Sequence, residues 1–333
     1  MTTSKKDRIT LVGIEEITGS ITDYTSFNTE ISPLSLSMIS IFDNLQSGGS
    51  WNWLSQYTMA ESLGMGAIQW NLSPVTGTLN AFSAGTYDTQ LAAIGAAINS
   101  FSGTVYIRIC GEFNGTWQTF GNGNETAAQF IAGWQHVVTK LKLANTNHNA
   151  KYVWEPYSGW TMGWGAVVDP TTWYPGNTYV DVLGLDVYWN DAAFPGPYSP
   201  YGMKVPGDIA SMRAAAGNAN MPVCFPECGC DENAALSTIS PPGKAGWITD
   251  LLAIAFADPN FIYLCWWNEV HGAYDYSLSS SGTNSASVAA FVAGVKTLMI
   301  LPATPEQIYQ ESLKTDPHYS YTDTSLRIPR RRR

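Results

Sequence analysis

The chain has 333 residues, of which 45% are hydrophobic and 13% are charged. This length exceeds one average domain but suits one large barrel, and the composition provides material for a large core rather than for a disordered protein. The formal net charge of −10 argues against the phosphate backbone of a nucleic acid as the main partner.

The N-terminal segment MTTSKKDRIT is polar and precedes no long apolar run. We therefore expect neither a secretion signal nor a membrane span, and we expect the protein either in the cytoplasm or on a virus particle that acts on extracellular glycan.

Eight short apolar runs follow in chain order, with the near-continuous hydrophobicity of parallel strands that are covered on both faces. They are ITLVGI (9–14), LSMISIF (36–42), GAIQW (66–70), TVYIRIC (104–110), KYVWE (151–155), VDVLGLDVY (180–188), PVCFPE (222–227) and FIYLCWW (261–267).

Segments of helical period lie between most of these runs. The longest, NETAAQFIAGWQHVVTKLKLA, is predicted to begin at Asn124 as the N-cap, whereas the connection after the fifth run allows only a short helix at 171–174. Eight strands with intervening helices predict a single (β/α)8 barrel over residues 1–300. An open doubly wound sheet is the alternative, but no glycine-rich nucleotide-binding motif follows the first strand.

Residues 301–333 are polar and proline-spaced and end in the basic sequence RIPRRRR. We expect a short C-terminal extension that packs on the barrel or on a neighbouring molecule, for instance in a virion or another assembly.

The chain has five cysteines: Cys110, Cys224, Cys228, Cys230 and Cys265. Their odd number and their positions within or just after predicted strands favour buried thiols over disulfides. The spacing of the pair at 228 and 230 is not that of a zinc site, and no histidine is adjacent. We therefore expect no metal and no cofactor.

Two carboxylates are predicted at strand ends, where barrel enzymes gather their functional residues. Glu112 follows the fourth strand and Glu227 ends the seventh. A single carboxylate at a strand end is explained equally well by a structural role, such as an ion pair or a helix cap. A structural role explains less readily why two carboxylates can meet over the barrel mouth. Such a pair can catalyse glycoside hydrolysis, since one protonates the leaving oxygen while the other attacks the anomeric carbon or activates water.

Aromatic residues are abundant, with 13 tryptophans and 17 tyrosines. Many such rings fill cores, but those at strand ends are suited to stacking on sugars. Asp186 and Tyr188 end the sixth strand, and Trp266 and Trp267 end the eighth. Glu155 ends the fifth, and its role stays open between a sugar subsite and a hydrogen bond that caps the mouth.

At these residues the chain resembles glycoside hydrolase family 26, the endo-β-mannanases and their relatives in clan A of retaining glycosidases. RICGEFNGTWQ resembles the acid/base segment of the family, and VWEPYSG, YPGNTYVDVLGLDVYW and MPVCFPECG follow in the family's order. The resemblance covers roughly residues 10–295.

The resemblance implies a retaining hydrolase that acts on a β-linked polysaccharide, with mannan as the first choice. Glu112 would be the acid/base, Glu227 the nucleophile and Tyr188 a hydrogen-bond donor to that nucleophile. The other substrate-binding residues would be Arg108 at the base of the site, Asn114, Trp117, Trp154, Asp186, and Trp266 or Trp267 as the platform under the reacting sugar. Asp186 is better suited to ordering the end of the sixth strand, or to pairing with Arg108, than to chemistry.

One departure from the family is Gly111, which stands where the family usually has a histidine directly before the acid/base. Its loss would shift specificity, lower the rate or mark a relative that no longer cleaves. The alternative function is therefore a weakly active or inactive glycan-binding barrel, for instance a component of a bacteriophage tail.

Overall fold

The computed structural model describes residues 11–15, 21–32, 34–45, 53–74, 77–162, 166–189, 205–232, 243–278 and 285–298. All of these lie in one compact unit, Thr10–Leu298. The expected extension at 301–333 and the N-terminal segment lie outside the described residues, so the domain boundary at residue 300 stays a prediction.

The described part contains eleven strands. They are β1 (Leu11–Glu15), β2 (Met38–Asn44), β3 (Ala67–Ser73), β4 (Thr104–Ile109), β5 (Ala150–Trp154), β6 (Val182–Gly184), β7 (Val187–Trp189), β8 (Val223–Cys230), β9 (Phe261–Trp267), β10 (Val270–His271) and β11 (Tyr274–Asp275). The first nine form one parallel sheet, which closes because β9 pairs with β1 and β6 pairs with β8. Since β7 continues β6 along the edge of β8, the barrel has eight strand positions, as predicted.

The described part also contains seven helices. They are α1 (Ile21–Glu30), α2 (Trp53–Ser62), α3 (Asp88–Ile98), α4 (Ala127–Ala144), α5 (Val205–Ala216), α6 (Lys244–Ala257) and α7 (Ser285–Leu298). Short 3-10 helices lie at Leu79–Ala84, Trp160–Met162 and Thr171–Trp173, the last near its predicted position. None of the described helices combines the length and apolarity that crossing a bilayer requires.

The predicted start of α4 at Asn124 is wrong, because Thr126 is the N-cap. Its hydroxyl accepts from the Gln129 backbone N–H, and the Gln129 side chain accepts from the Thr126 backbone N–H, which is a complete capping box. Glu125 is used elsewhere, where its carboxylate accepts from the backbone N–H groups of Asn80 and Gly121.

The predicted sixth strand is also interrupted. Between β6 and β7 the chain bonds to the loop after β5: the Asp186 N–H donates to the Pro156 carbonyl, and the Ser158 N–H donates to the Asp186 carbonyl, at 3.2 and 3.0 Å. This detour fixes Asp186 inside the barrel mouth.

The barrel interior changes from apolar to polar along its axis. At one end lies a buried cluster of Met38, Ala67, Val153, Val182, Cys224, Tyr263 and Cys265. Toward the mouth the interior contains Ser40, Gln69 and Asn71, where the amides of Gln69 and Asn71 both donate to the Ser40 hydroxyl. All five cysteines are buried thiols, as expected. The polar layer supports the residues that face the mouth.

Candidate active site

Glu112 is held in an uncommon backbone conformation just beyond β4. Its φ is 56°, and that of Cys110 is 50°, in the left-handed region that non-glycine residues seldom occupy. The Glu112 N–H donates to the Glu155 carbonyl at 3.0 Å, and the Glu112 carbonyl accepts from the Gly115 N–H at 2.9 Å. These two bonds hold the turn that directs the carboxylate to the mouth.

The Glu112 carboxylate receives two side-chain hydrogen bonds on one oxygen. Trp117 Nε1 and Gln118 Nε2 both donate to Oε2, at 2.7 and 3.1 Å. Burial and the negative charge of Glu227 raise the pKa of Glu112 to about 7, although Arg108 and the two donors oppose this rise. The carboxyl group can therefore carry a proton near neutral pH.

Glu227 lies on β8 in a different environment. Arg108 Nη1 forms an ion pair with its Oε1, and the Tyr188 hydroxyl donates to its Oε2 at 2.8 Å. Its backbone N–H donates to Asp186 Oδ1 at 2.9 Å. A cation and a hydroxyl donor thus contact the two oxygens of this carboxylate and orient it.

The two glutamates converge on one space. One carboxylate oxygen from each of Glu112, Asp186 and Glu227 lies within 4.8 Å of the other two. Such a cluster could also bind a cation, but the guanidinium of Arg108 already supplies positive charge to Asp186 and Glu227. The separation is compatible with the ~5–5.5 Å between carboxyl groups of retaining glycosidases rather than the ~6.5–9.5 Å of inverting ones.

Arg108 organises the floor of this space. Its side chain is almost fully buried, and it meets Glu155 through Nε, Asp186 through Nη2 at 2.5 Å, and Glu227 through Nη1. It also donates to the Asn71 amide oxygen at 3.2 Å. The expected pairing of Asp186 with Arg108 is thus present. Glu155, whose role the sequence leaves open, forms an ion pair with Arg108 beneath the mouth.

A continuous series of aromatic rings borders the site. It runs from Phe42 to Trp267 (6.2 Å between centroids), to Tyr188 (6.4 Å), to Tyr157 (6.1 Å, stacked) and to Trp117 (5.1 Å). Phe42 and Trp117 are exposed by 48% and 43%. Exposed rings beside buried acids are suited to binding the apolar faces of sugars. We refer to these five rings as the aromatic rim.

Three residues expected to bind substrate lie elsewhere. The indole of Trp154 is fully buried on the outer face of the sheet against Phe113, and that of Trp266 is buried against Trp247. Neighbouring residues of a strand face opposite sides of the sheet, so both indoles lie in the layer between strands and helices. Asn114 is buried too, and its side chain bridges the loops after β4 and β5 by bonding to the backbone of Tyr157.

Arg108 and Asp186, also expected among the substrate-binding residues, are buried and form the floor of the site beneath Glu227. Sequence reasoning did not single out Phe42, Tyr157 or Gln118. Phe42 is the last residue of the predicted second strand, so the strand-end rule could have identified it. Tyr157 and Gln118 lie in loops whose paths no local pattern reveals.

Comparisons with known proteins agree with this geometry. Residues 89–225 match the model of glycosyl hydrolase family 26. A mannan endo-1,4-beta-mannosidase of Bifidobacterium adolescentis is 30% identical over 113 residues, which are 32% of this chain and 11% of that protein. The chain therefore spans about a tenth of the length of this curated relative.

Solved structures share the fold. The catalytic domain of a family 26 endo-β-1,4-mannanase from Bacillus sp. JAMB-750 has a TM-score of 0.63 at 17% identity, over 92% of this chain and 91% of that one. A family 26 β-mannanase from Bacteroides ovatus has a TM-score of 0.59 at 16% identity, over 88% and 90%. A modular endo-β-1,4-mannanase from Cellulomonas fimi has 0.57 at 18%, over 86% and 70%.

These findings confirm the expected resemblance and the barrel. The chain resembles glycosyl hydrolase family 26 in sequence over residues 89–225, and it shares the (β/α)8 fold of that family's mannanases over most of its length.

Proposed function

We propose that the chain is a retaining glycoside hydrolase that cleaves a β-linked, mannan-like polysaccharide by double displacement with two glutamates. The observation that carries this proposal is the convergence of Glu112 and Glu227, with oxygens within 4.8 Å, in contrasting environments. Glu112 is the carboxyl group whose pKa lies near 7, whereas Glu227 contacts a guanidinium and a hydroxyl donor. This asymmetry gives the two acids different tasks.

In the first step, Glu227 attacks the anomeric carbon while Glu112 transfers its proton to the departing glycosidic oxygen. Because Trp117 and Gln118 both donate to Oε2 of Glu112, Oε1 is the oxygen that carries the proton. In the second step, the Glu112 carboxylate takes a proton from water, and that water displaces Glu227 from the sugar. The anomeric configuration is retained because it inverts twice.

The aromatic rim supports a polysaccharide as the substrate class. Trp267 and Phe42 lie on the side of β9 and β2, and Trp117 lies beyond β4, so exposed ring surface flanks the acids on two sides. The preference for mannan rests on the names of the relatives, which are mannanases. The expected association with a virus particle stays a prediction.

A substrate panel tests the proposal. The protein is incubated with mannans, glucans, xylans and host-envelope glycan, and new reducing ends are measured; Glu227→Ala serves as the inactive reference. Release of reducing ends from mannan by wild type alone is the expected result. Binding without cleavage across the whole panel would instead favour the glycan-binding barrel.

A further inference from the structure

The glycine that precedes the acid Glu112 leaves space for a guanidinium. A Cβ atom added to Gly111 would lie 2.6 Å from Arg108 Cζ and still closer to two of its nitrogens. Contacts below 3.0 Å force a neighbour to move, and the guanidinium is held on three sides by carboxylates. Gly111 does not have a positive φ, so alanine is disfavoured at this position by the space that Arg108 occupies rather than by the backbone.

Glu155 is the second unusual feature of the same place. Its side chain is completely buried, and its carboxylate pairs with Nε of Arg108, whereas Asp186 and Glu227 pair with Nη2 and Nη1. A buried carboxylate is costly unless it is paired. Glu155 also accepts the Glu112 N–H through its backbone carbonyl. One residue thus contacts both the backbone of the acid and the cation beneath the nucleophile.

We propose that Gly111 and Glu155 act together to position Arg108: Gly111 provides the space for the guanidinium, and Glu155 fixes it there so that Nη1 meets Glu227. Glu155 is in this account a positioning residue that never touches the sugar. The inference rests on the proposed function, and it explains how a site without a side chain at position 111 keeps its nucleophile oriented.

Kinetics of single and double variants test the coupling. Glu155→Gln keeps the shape of the side chain but removes the charge, and Gly111→Ala displaces the guanidinium without changing any charge. We expect each to lower kcat at least tenfold with KM within twofold, and we expect the double variant to be no slower than the slower single, because both act through Arg108. Equal kcat in wild type and Glu155→Gln would overturn the proposal. So would a fold-decrease in kcat of the double variant equal to the product of the fold-decreases of the two single variants.

The matched control is Asp258→Asn. Asp258 pairs with Arg213 at 2.7 Å between α5 and the end of α6, and both side chains are mostly buried. This variant removes a carboxylate from a comparable Arg–carboxylate pair outside the site, so its kcat should equal that of wild type. Melting temperatures of all variants separate loss of fold from loss of positioning. If Glu155→Gln does not fold, the titration of Glu112 in Gly111→Ala decides whether Gly111 positions Arg108.

A second readout needs no turnover, so it also decides the inference if the panel shows no hydrolysis. Glutamate labelled with 13C at the carboxyl carbon reports the titration of Glu112. Of the charged groups near it, Glu227 raises the pKa of Glu112 and Arg108 lowers it. Asp186 and Tyr157 are further titratable groups on which the charge of Glu112 acts. A displaced guanidinium should move the midpoint upward in Gly111→Ala. A midpoint equal to that of wild type would mean that Gly111 does not set the place of Arg108.

Discussion

The indole Nε1 of Trp117 donates a hydrogen bond to Oε2 of Glu112 across 2.7 Å. A tryptophan of the aromatic rim thereby lowers the pKa of the proposed acid. The Gln118 amide donates to the same oxygen at 3.1 Å. Both bonds stabilise the ionised carboxylate and so limit how far burial and Glu227 raise the pKa of Glu112 above its ordinary value.

Gln118→Leu should therefore raise the pKa of Glu112. One hydrogen bond to a charged group is worth ~1.5 kcal/mol, which corresponds to roughly one pH unit. Since the reaction needs protonated Glu112, and that form is lost as pH rises through its pKa, the basic limb of the kcat/KM profile should move upward from about 7. Gln135→Leu, which removes a similar amide donor from α4 to the Pro175 carbonyl, should leave the limb in place. If the basic limb stayed in place or moved to lower pH in Gln118→Leu, the result would contradict the claim that the Gln118 amide stabilises ionised Glu112 through Oε2.

Tyr188→Phe should slow the chemical step. The lost hydroxyl donates to Oε2 of Glu227 at 2.8 Å, and a bond to a charged partner is worth ~1.5–3 kcal/mol, or about 10–100-fold in rate. The measurement is kcat on the preferred substrate. Tyr174→Phe, which removes a hydroxyl bond to Asn177 at 2.7 Å, is the control and should retain wild-type kcat. A change confined to KM in Tyr188→Phe would show that the hydroxyl binds sugar rather than orienting the nucleophile.

Phe42→Ala should weaken substrate binding. Phe42 is 48% exposed and packs edge-on against Trp267 at 6.2 Å. Loss of one stacking ring is worth about 0.5–1.5 kcal/mol, so KM should rise by ~2–10-fold while kcat changes less. Leu143→Ala on α4, where the leucine is 74% exposed, is the control for removal of a surface apolar side chain. A KM equal to that of wild type would remove Phe42 from the sugar-binding surface.

Trp266→Ala and Trp267→Ala should separate stability from binding. Trp266 is 1% exposed and donates its indole N–H to the Tyr276 carbonyl at 2.9 Å, so its truncation should cost about 3–5 kcal/mol of unfolding free energy. Trp267→Ala should instead raise KM with a smaller loss of stability. Urea denaturation and KM of both variants provide the test. If Trp266→Ala left stability unchanged but raised KM, the orientation of this strand end would be wrong.

The sequence predicted the barrel well because its strands are buried on both faces and therefore read as continuous apolar runs. The strand-end rule also identified Glu112 and Glu227. It could not decide between Trp266 and Trp267, because only one of two adjacent strand residues faces the barrel interior. The same alternation places Trp154 outside while its neighbour Glu155 lies inside.

Other features depend on contacts that are distant in sequence. Helix α1 was not predicted, since its sequence ITDYTSFNTE is polar and rich in β-branched threonine. Among the side chains described at positions 24–30, only Tyr24 and Phe27 are buried. The positive φ of Glu112 is likewise invisible in the sequence, because the Glu155 carbonyl that holds its N–H lies 43 positions away. Ion pairs such as Arg108 with Glu155 follow from the closed barrel and not from local pattern.

The most direct test of the account is covalent trapping. An activated 2-deoxy-2-fluoro glycoside of the preferred sugar should glycosylate the enzyme through its anomeric carbon, with loss of the activated leaving group, faster than water can release the sugar. Mass spectrometry of the digest identifies the labelled residue. The account predicts one added sugar on the peptide that contains Glu227, with no label in Glu227→Ala. Label on Glu112 or Asp186, or release of product with inverted configuration, would contradict the division of tasks between the two glutamates.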